Sequence, residues 1–459
     1  MRRAWFPSML AAALVLSGCA MAPQPAPPST LVTPVQWRTS APPGAAVEAE
    51  WWRSFGDPAL DALVRQAERQ NGDVRVALSR LQEYQARIRI AASAQSPGLT
   101  ASLGPGRARQ IGPFGTPVEG TSITGQVQAS YELDLFGRLE NATVAARFDL
   151  ASQQALAAAT MLAVAANTAS GYLNLRGLDA QLDLARATLA SRQRSFDLAR
   201  RQFEVGYSSR LDQSQAEAEL HNTAAAVPLL ERSIAQQENA LSVLIGASPG
   251  AVTRGVGLLD LRPPAIDAGV PSELLRRRPD IAQAESTLAA LDASLAAARD
   301  QLLPSFRLTA SLGAQANTLP TLLRSPTELW SIGGSILAPI FDAGRLRAQA
   351  EIAGTLRDRA VFGYETVVRN AFAETDNALN AVQRLNEQLV EAQARARASA
   401  EVLRIAHNRY ANGYASYLEE LDAQRNAFTA ENNVLQLRAS LLAAHVDLYR
   451  ALGGGWRAG

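Results

Sequence analysis

Cysteine is nearly missing from this chain: one, Cys19, stands among 459 residues. A disulfide needs two cysteines and a thiolate metal site needs several ligands, so neither chemistry is available to the folded body. Histidine is almost as scarce, and His221, His407 and His445 are not spaced as metal ligands. Aromatic residues make up 6 % of the chain while alanine is abundant, which suits helices packed through small side chains better than a sandwich or an α/β sheet. The formal net charge is only +1, so neither a nucleic-acid partner nor an acidic solvated tail is indicated. Beyond the N-terminal run no stretch offers the roughly 18 unbroken apolar residues of a membrane-spanning helix. A phosphate-binding loop and a nucleophile with a paired base are both lacking. Gly104-Pro105-Gly106 and Gly453-Gly454-Gly455 read as loop and helix end. The chain is not expected to be an enzyme, nor to carry a metal or a dissociable cofactor.

What is present begins with the leader. Arg2 and Arg3 precede an apolar run, Met9 to Leu16, that is too short to cross a bilayer. Leu16-Ser17-Gly18-Cys19 resembles a lipobox, which implies removal of residues 1–18 and N-acyl and diacylglycerol lipid on Cys19. The alternative is an ordinary secretory signal with a chance cysteine. Ala20 stands where an aspartate would retain such a lipoprotein in the inner membrane, so the expected destination is the outer membrane, with the body projecting into the periplasm. Residues 22–46 are rich in Pro, Ala and Ser and read as an extended tether, within a lipidated segment 19–50.

The chain repeats itself at an offset of 207 residues. Asp73-Val74 falls on Asp280-Ile281, Pro97 on Pro304, Gly137-Arg138-Leu139 on Gly344-Arg345-Leu346, Gly206-Tyr207 on Gly413-Tyr414, and Gly246 on Gly453. The unit is too long for a solenoid repeat and reads as a tandem pair of halves. The first repeat is 51–246, with strands at about 98–136 and long helices at about 138–205 and 208–246. A linker, 247–272, leads to the second repeat, 273–453, with strands at about 304–341 and helices at about 343–411 and 415–453. Residues 454–459 form a tail.

From Ile123 to Leu135 the odd positions are Ile, Gly, Val, Ala, Tyr, Leu and Leu, and the even ones Thr, Gln, Gln, Ser, Glu and Asp. Such a period of two gives a strand one apolar and one wet face. Trp330, Ile332, Ile336 and Ile340 show a weaker version in the second half. Residues 104–120 and 316–326, rich in Gly and Pro, read as the hairpin loops. An antiparallel sheet over a soluble core is the alternative, but inward Gln, Glu and Asp suit a water-filled lumen with the apolar face against lipid. Four strands cannot close a barrel, and in lipid an open edge strands backbone groups at several kcal/mol each. Other copies must complete it. Closure alone allows two, three or four copies, of which three give about twelve strands.

Between about Leu139 and Val205 there is no proline, and about 65 residues at 1.5 Å each span roughly 100 Å. Leu175, Leu182, Leu189, Phe196 and Phe203 recur every seven residues, with Leu178, Ala185 and Ala199 three places on. Leu220, Val227, Ile234 and Leu241 continue the pattern in the returning helix, and Ala427, Val434, Leu441 and Leu448 in its counterpart. This is coiled-coil spacing with many small partners. Pro228 is expected to kink or break its helix.

Trp52, Phe55-Gly56-Asp57-Pro58-Ala59-Leu60, Asn71-Gly72-Asp73, Tyr131-Glu132-Leu133-Asp134-Leu135-Phe136-Gly137-Arg138, Leu274-Leu275-Arg276-Arg277-Arg278-Pro279-Asp280-Ile281 and Pro339-Ile340-Phe341-Asp342-Ala343-Gly344-Arg345 occur in that order. With the lipobox, this set resembles the TolC-like outer-membrane factors, in their lipoprotein branch serving resistance-nodulation-division efflux pumps. Tyr131 stands where tryptophan is usual. The resemblance covers nearly the whole mature chain. It implies a mainly α fold with a small membrane β part: a homotrimer whose 12-stranded β-barrel, four strands per chain, continues into a long α-helical barrel.

It also implies a passive duct for drugs or other small toxic molecules, powered by the inner-membrane pump through a periplasmic adaptor. The hairpin tips at Gly206, Tyr207, Ser209, Gly413, Tyr414 and Ser416 would meet that adaptor, although glycine and serine there also simply make a turn and cap a helix. Asp212, Glu419 and Asp422 match acids ringing the periplasmic aperture, with Glu419 where aspartate is expected and Arg210 or Arg425 as neighbours to hold them. Their alternative role is to complement the helix dipole. Export of proteins through a type I secretion system, or a surface-anchored coiled coil, are the competing readings. The lipobox counts against the first, the alternating strands and the duplication against the second.

Overall fold

A computed structural model describes residues 27, 30–39, 44, 46–262 and 266–457. The leader, Cys19, Ala20 and about half of the tether lie outside the described residues. Four strands, β1 (Gly98–Ile111), β2 (Pro117–Leu133), β3 (Ser305–Ala316) and β4 (Thr327–Leu337), form one antiparallel sheet in chain order. Register explains why these sequences pair. Leu99, Ala129, Ala310 and Ile332 stand opposite one another across the sheet, as do Ala101, Val127, Leu312 and Trp330. The row between them is Thr100, Gln128, Ser311 and Ser331, closed by a 2.8 Å bond between the two serine hydroxyls. One-residue slippage would put Gln and Ser among the Leu and Trp, so alternation specifies the register. The apolar rows are open to the surroundings: Trp330 is 76 % and Ile332 80 % exposed. β1 and β4 each have a neighbour on one side only.

The first hairpin loop is shorter than the glycine and proline content suggests, while the second falls between residues 316 and 327 as expected. β1 runs on to Ile111 and β2 starts at Pro117, leaving a turn closed by Gly112 N donating to Thr116 O at 2.8 Å. Pro105 lies within β1 opposite Ile123, and β2 is the one neighbour of β1 within the chain. Arg107 also pairs with Glu119 across the hairpin at 3.3 Å. The second connection contains a short helix, Leu319–Arg324, capped by Thr318. Ile340 lies past the end of β4 and belongs to no strand.

The helices are α1 (Pro58–Gln70), α2 (Gly72–Ser93), α3 (Arg138–Glu204), α4 (Arg210–Leu244), α5 (Leu274–Arg277), α6 (Pro279–Asp300), α7 (Leu319–Arg324), α8 (Arg345–Ala411) and α9 (Tyr417–Ala451). α2 and α6 both have 22 residues, α3 and α8 both 67, α4 and α9 both 35. Each member of the second set starts 207 residues after its counterpart, so the duplication is structural. α4 is not broken at Pro228. Proline forfeits one hydrogen bond, and the ladder on either side of a 35-residue helix holds the segment together.

The chain divides into two compact units. One comprises residues 1–30, 80–154 and 283–365 and contains the whole sheet. Its helices meet through small residues, with Ala145, Ala290 and Ala350 buried, and Asn141 donates to Asp300 at 2.8 Å. The other unit comprises residues 31–79, 155–282 and 366–459. Trp51 stacks on Tyr449 there, centroids 4.9 Å apart, beside buried Trp52 and Phe55. Asp57 caps α1 and accepts from the Tyr172 hydroxyl at 2.7 Å and from Val256 N at 3.1 Å. A Cβ on Gly255 would meet the Asp57 carboxylate, so glycine is required at that approach. Asn71 donates to Leu244 O, and Arg278 to Ala451 O, so the landmark Asn and Arg each tie down the end of a returning helix. Part of α3 is apolar enough to cross a membrane on length and composition, and 44 % of that window is buried inside the protein.

Candidate functional site at the hairpin tips

Both long hairpins turn through the same backbone device. Gly206 and Gly413 adopt φ of 78° and 77°, a left-handed conformation that ends α3 and α8 at little cost for glycine. Tyr207 N then donates back to Gln202 O, and Tyr414 N to Arg409 O, each at 2.8 Å. The tyrosine rings project outward, 88 % and 79 % exposed. Exposed large aromatics on a tight turn are not used by the fold and are free to be contacted.

The two turns differ in how the returning helix begins. Ser209 accepts from Asp212 N, while Asp212 accepts from Ser209 N at 3.1 Å, a reciprocal capping box. The equivalent pair, Ser416 and Glu419, makes no such box, and Ser416 has no side-chain cap bond. The Glu419 carboxylate pairs with Arg409 instead, Nε to Oε1 at 2.9 Å. Glu419 and Asp422 are exposed on one face of α9, whereas Asp212 is occupied locally. The expected partners Arg210 and Arg425 do not hold these acids: Arg409, on the other arm of the turn, holds Glu419, and Arg425 is bound to Glu219.

A buried polar lattice lies behind the tips, and the sequence reading did not pick it out. Glu219, 5 % exposed, accepts from Arg425 Nε at 2.9 Å and Nη2 at 2.8 Å, and pairs with Arg192 at 3.3 Å. Arg192, 3 % exposed, also donates to Gln424 Oε1. Gln424 passes the chain on, donating to Ser195 at 3.2 Å and to Glu420 at 2.8 Å, and His407 Nδ1 lies 2.9 Å from the same Glu420 oxygen. Burial lowers the Arg192 pKa, and the Glu219 carboxylate works against that. Glu219 is thus matched by buried Arg192 and by the half-exposed Arg425, while Glu420 is held by Gln424 and His407. Below them Ala199, Ala216, Tyr410, Tyr417 and Leu421 form an apolar cluster. Burial, then the Glu420 and Asp212 carboxylates, push the Tyr410 hydroxyl up to about 12, so it stays protonated and donates to Gln202 at 2.7 Å. Residues of α3 and α4 are thereby joined to residues of α8 and α9.

A signal for the lattice does exist in the heptads. Arg192 fills the one vacant place in the series Leu178, Ala185, Ala199, and Glu420 stands one heptad before Ala427. Charged residues at seam positions mark a polar layer in a coiled coil. Among the described residues no cluster of His, Asp and Glu is arranged to hold a metal ion.

This architecture has known counterparts. The model of the outer membrane efflux protein family matches twice, over residues 63–247 and 270–454. The toluene efflux pump outer membrane protein TtgC of Pseudomonas putida is 34 % identical, covering 98 % of this chain and 95 % of its own length. The cation efflux system protein CusC of Escherichia coli is also 34 % identical, with 97 % of each chain covered. Among solved structures, the open state of the Neisseria gonorrhoeae MtrE outer membrane channel superposes with a TM-score of 0.84 at 32 % identity, covering 95 % of this chain and 98 % of that one. With both halves matched, the sheet and long hairpins in place and the relatives aligned nearly end to end, this chain belongs to the outer membrane efflux protein family, whose members are channel components of efflux pumps.

Proposed function

We propose that three copies close their sheets edge to edge into a twelve-stranded barrel in the outer membrane, continued by helices into the periplasm, as a passive duct. An inner-membrane resistance-nodulation-division pump, coupled through a periplasmic adaptor, drives drugs or other small toxic molecules through it. The observation that carries this reading is the open-edged sheet, with apolar rows ending in Trp330 and Ile332 and a polar row between. Such a sheet is stable in lipid only when β1 and β4 find partners on other copies. The acylated Cys19 adds a lipid anchor. Gly206, Tyr207 and Ser209, with Gly413, Tyr414 and Ser416, offer the adaptor a repeated contact, six times around the trimer. Glu419 and Asp422 line the periplasmic aperture, with Asp212 shaping the turn beside them. The relatives named for toluene and for cations are equally distant, and a wide wet lumen reads little of what passes, so the substrate class is set by the pump.

Light scattering of the detergent-solubilised protein, corrected for bound detergent, is expected to give three protomers. A solubilised single protomer that conducts ions alone would sink the reading.

A further inference from the structure

The two edges of the sheet carry opposite charge near the same end. Arg107 and Arg109 are the only charged residues of β1, and they share the face of Leu99, Ala101 and Leu103. They lie 3.3 and 3.8 Å from a single carboxylate, Glu119 of β2, so one guanidinium charge is left over. Glu328 is the only charged residue of β4 and shares the face of Trp330 and Ile332. It is exposed, and among the described residues it has no ion-pair partner. β2 and β3 stand between the edges, which puts β1 and β4 about 14 Å apart at about 4.8 Å per strand. The acid and the surplus base do not meet within one copy.

Between copies they can meet, and the ladders say at which register. Every pair in the sheet is antiparallel, so β1 and β4 run in opposite senses and β4 of one copy beside β1 of the next is antiparallel too. Alternation permits every second register, since the others turn Trp330 and Ile332 among wet side chains. Gly98 is level with Ser130, Thr309 and Gly333, and β4 continues beyond Gly333 to Leu337. Setting Leu337 beside Gly98 brings the helix-side ends level again and pairs the whole of β4. Each row then climbs about four residues per four strands, which tilts the strands by about 35°, an angle at which barrels close. Two residues less gives about 20°, too shallow for closure. Two residues more gives about 47° and leaves Gly98 and Leu99 unpaired in lipid. In the level register Ile336 faces Leu99, Ile332 faces Leu103 and Trp330 faces Pro105. Glu328 faces Arg107, with Arg109 diagonal to it.

We propose that Glu328 of one copy pairs with Arg107 of the next while Arg109 keeps Glu119, and that this ion pair fixes the register at which copies join. The proposal rests on the reading that the copies close edge to edge. It adds a device that prevents the edges from slipping, because a shift of two residues parts the charges.

The test uses full-length chain extracted from the outer membrane in detergent. Facing residues of an antiparallel pair are close enough for a disulfide. Glu328→Cys with Arg107→Cys, mildly oxidised, is therefore expected to link chains to one another. Glu328→Cys with Leu99→Cys, at the far end of the strand, should stay unlinked, as should the natural chain. Glu328→Gln and Arg107→Gln should each lower by several degrees the temperature at which the oligomer dissociates in SDS, and the double variant should fall no further than either. A trimer by light scattering that forms no 328–107 link, or whose losses simply add, overturns the ion pair and leaves edge closure standing. A loss on Arg107→Gln with Glu328→Gln silent also overturns it, and assigns the arginine to a phosphate of the outer-leaflet lipid. Single protomers in light scattering remove the closure reading, and the pair with it.

Discussion

Glu219 holds two arginines of unequal burial. Its bond to Arg425 reaches a half-exposed guanidinium and is worth little on its own, whereas Arg192 is enclosed. Glu219→Ala leaves that arginine charged and unpaired in the interior, and is expected to cost about 3–5 kcal/mol, read as a lower midpoint for thermal loss of helix. Replacing both partners, Arg192→Met with Glu219→Leu, should recover most of it, because a buried pair is nearly matched by apolar residues of similar volume. His445 supplies a pH dependence. Burial, together with Arg438, holds its imidazole below the ordinary value, and it faces Leu441 O at 2.8 Å as a neutral donor. As pH falls through 6.5 the unfolded chain takes up a proton that the folded chain refuses, so stability is full above that value and declines below it. Melting followed from pH 7.5 to 5.5 should show a flatter acid limb for His445→Leu than for the natural chain.

At the scale of elements, the turn glycines, the Ser209 cap and the helix lengths were legible because each is a local matter. Left-handed φ needs glycine, a cap needs a short hydroxyl, and proline-free heptads give long helices. Two elements were misread for a common reason: Gly and Pro were given their average local meaning. In β1 they sit in an edge strand whose pairing with β2 supports them, and in α4 Pro228 sits in a ladder long enough to carry the lost bond. Pro228→Ala, at an exposed site with three alanines before it, is therefore expected to raise the melting midpoint, with a gain of up to about 3 kcal/mol. A drop would show that the proline shape is required for packing.

For the whole molecule, the proposed aperture predicts an effect of the exposed acids on α9 that a single copy would not show, because three copies would bring like charges together at the axis. Glu419→Ala with Asp422→Ala is expected, on that proposal, to raise single-channel conductance severalfold in planar bilayers, because it removes the acids and with them the Arg409 contact of Glu419. Unchanged conductance would take both residues out of the aperture. The buried lattice should then act as the opposing element, since it ties residues of α8 and α9 to residues of α3 and α4 in one protomer.

Periodicity, the 207-residue offset and the turn residues determined the kind of elements, their order and the duplication, because each depends on near neighbours along the chain. Which carboxylate pairs with which arginine was decided only in three dimensions. Glu219 meets Arg425 across 206 residues, and Glu419 pairs with Arg409 on the other arm of the turn instead of closing a capping box. Sequence spacing carries no distance between residues on different helices, so partners of that kind become visible only when the helices are packed.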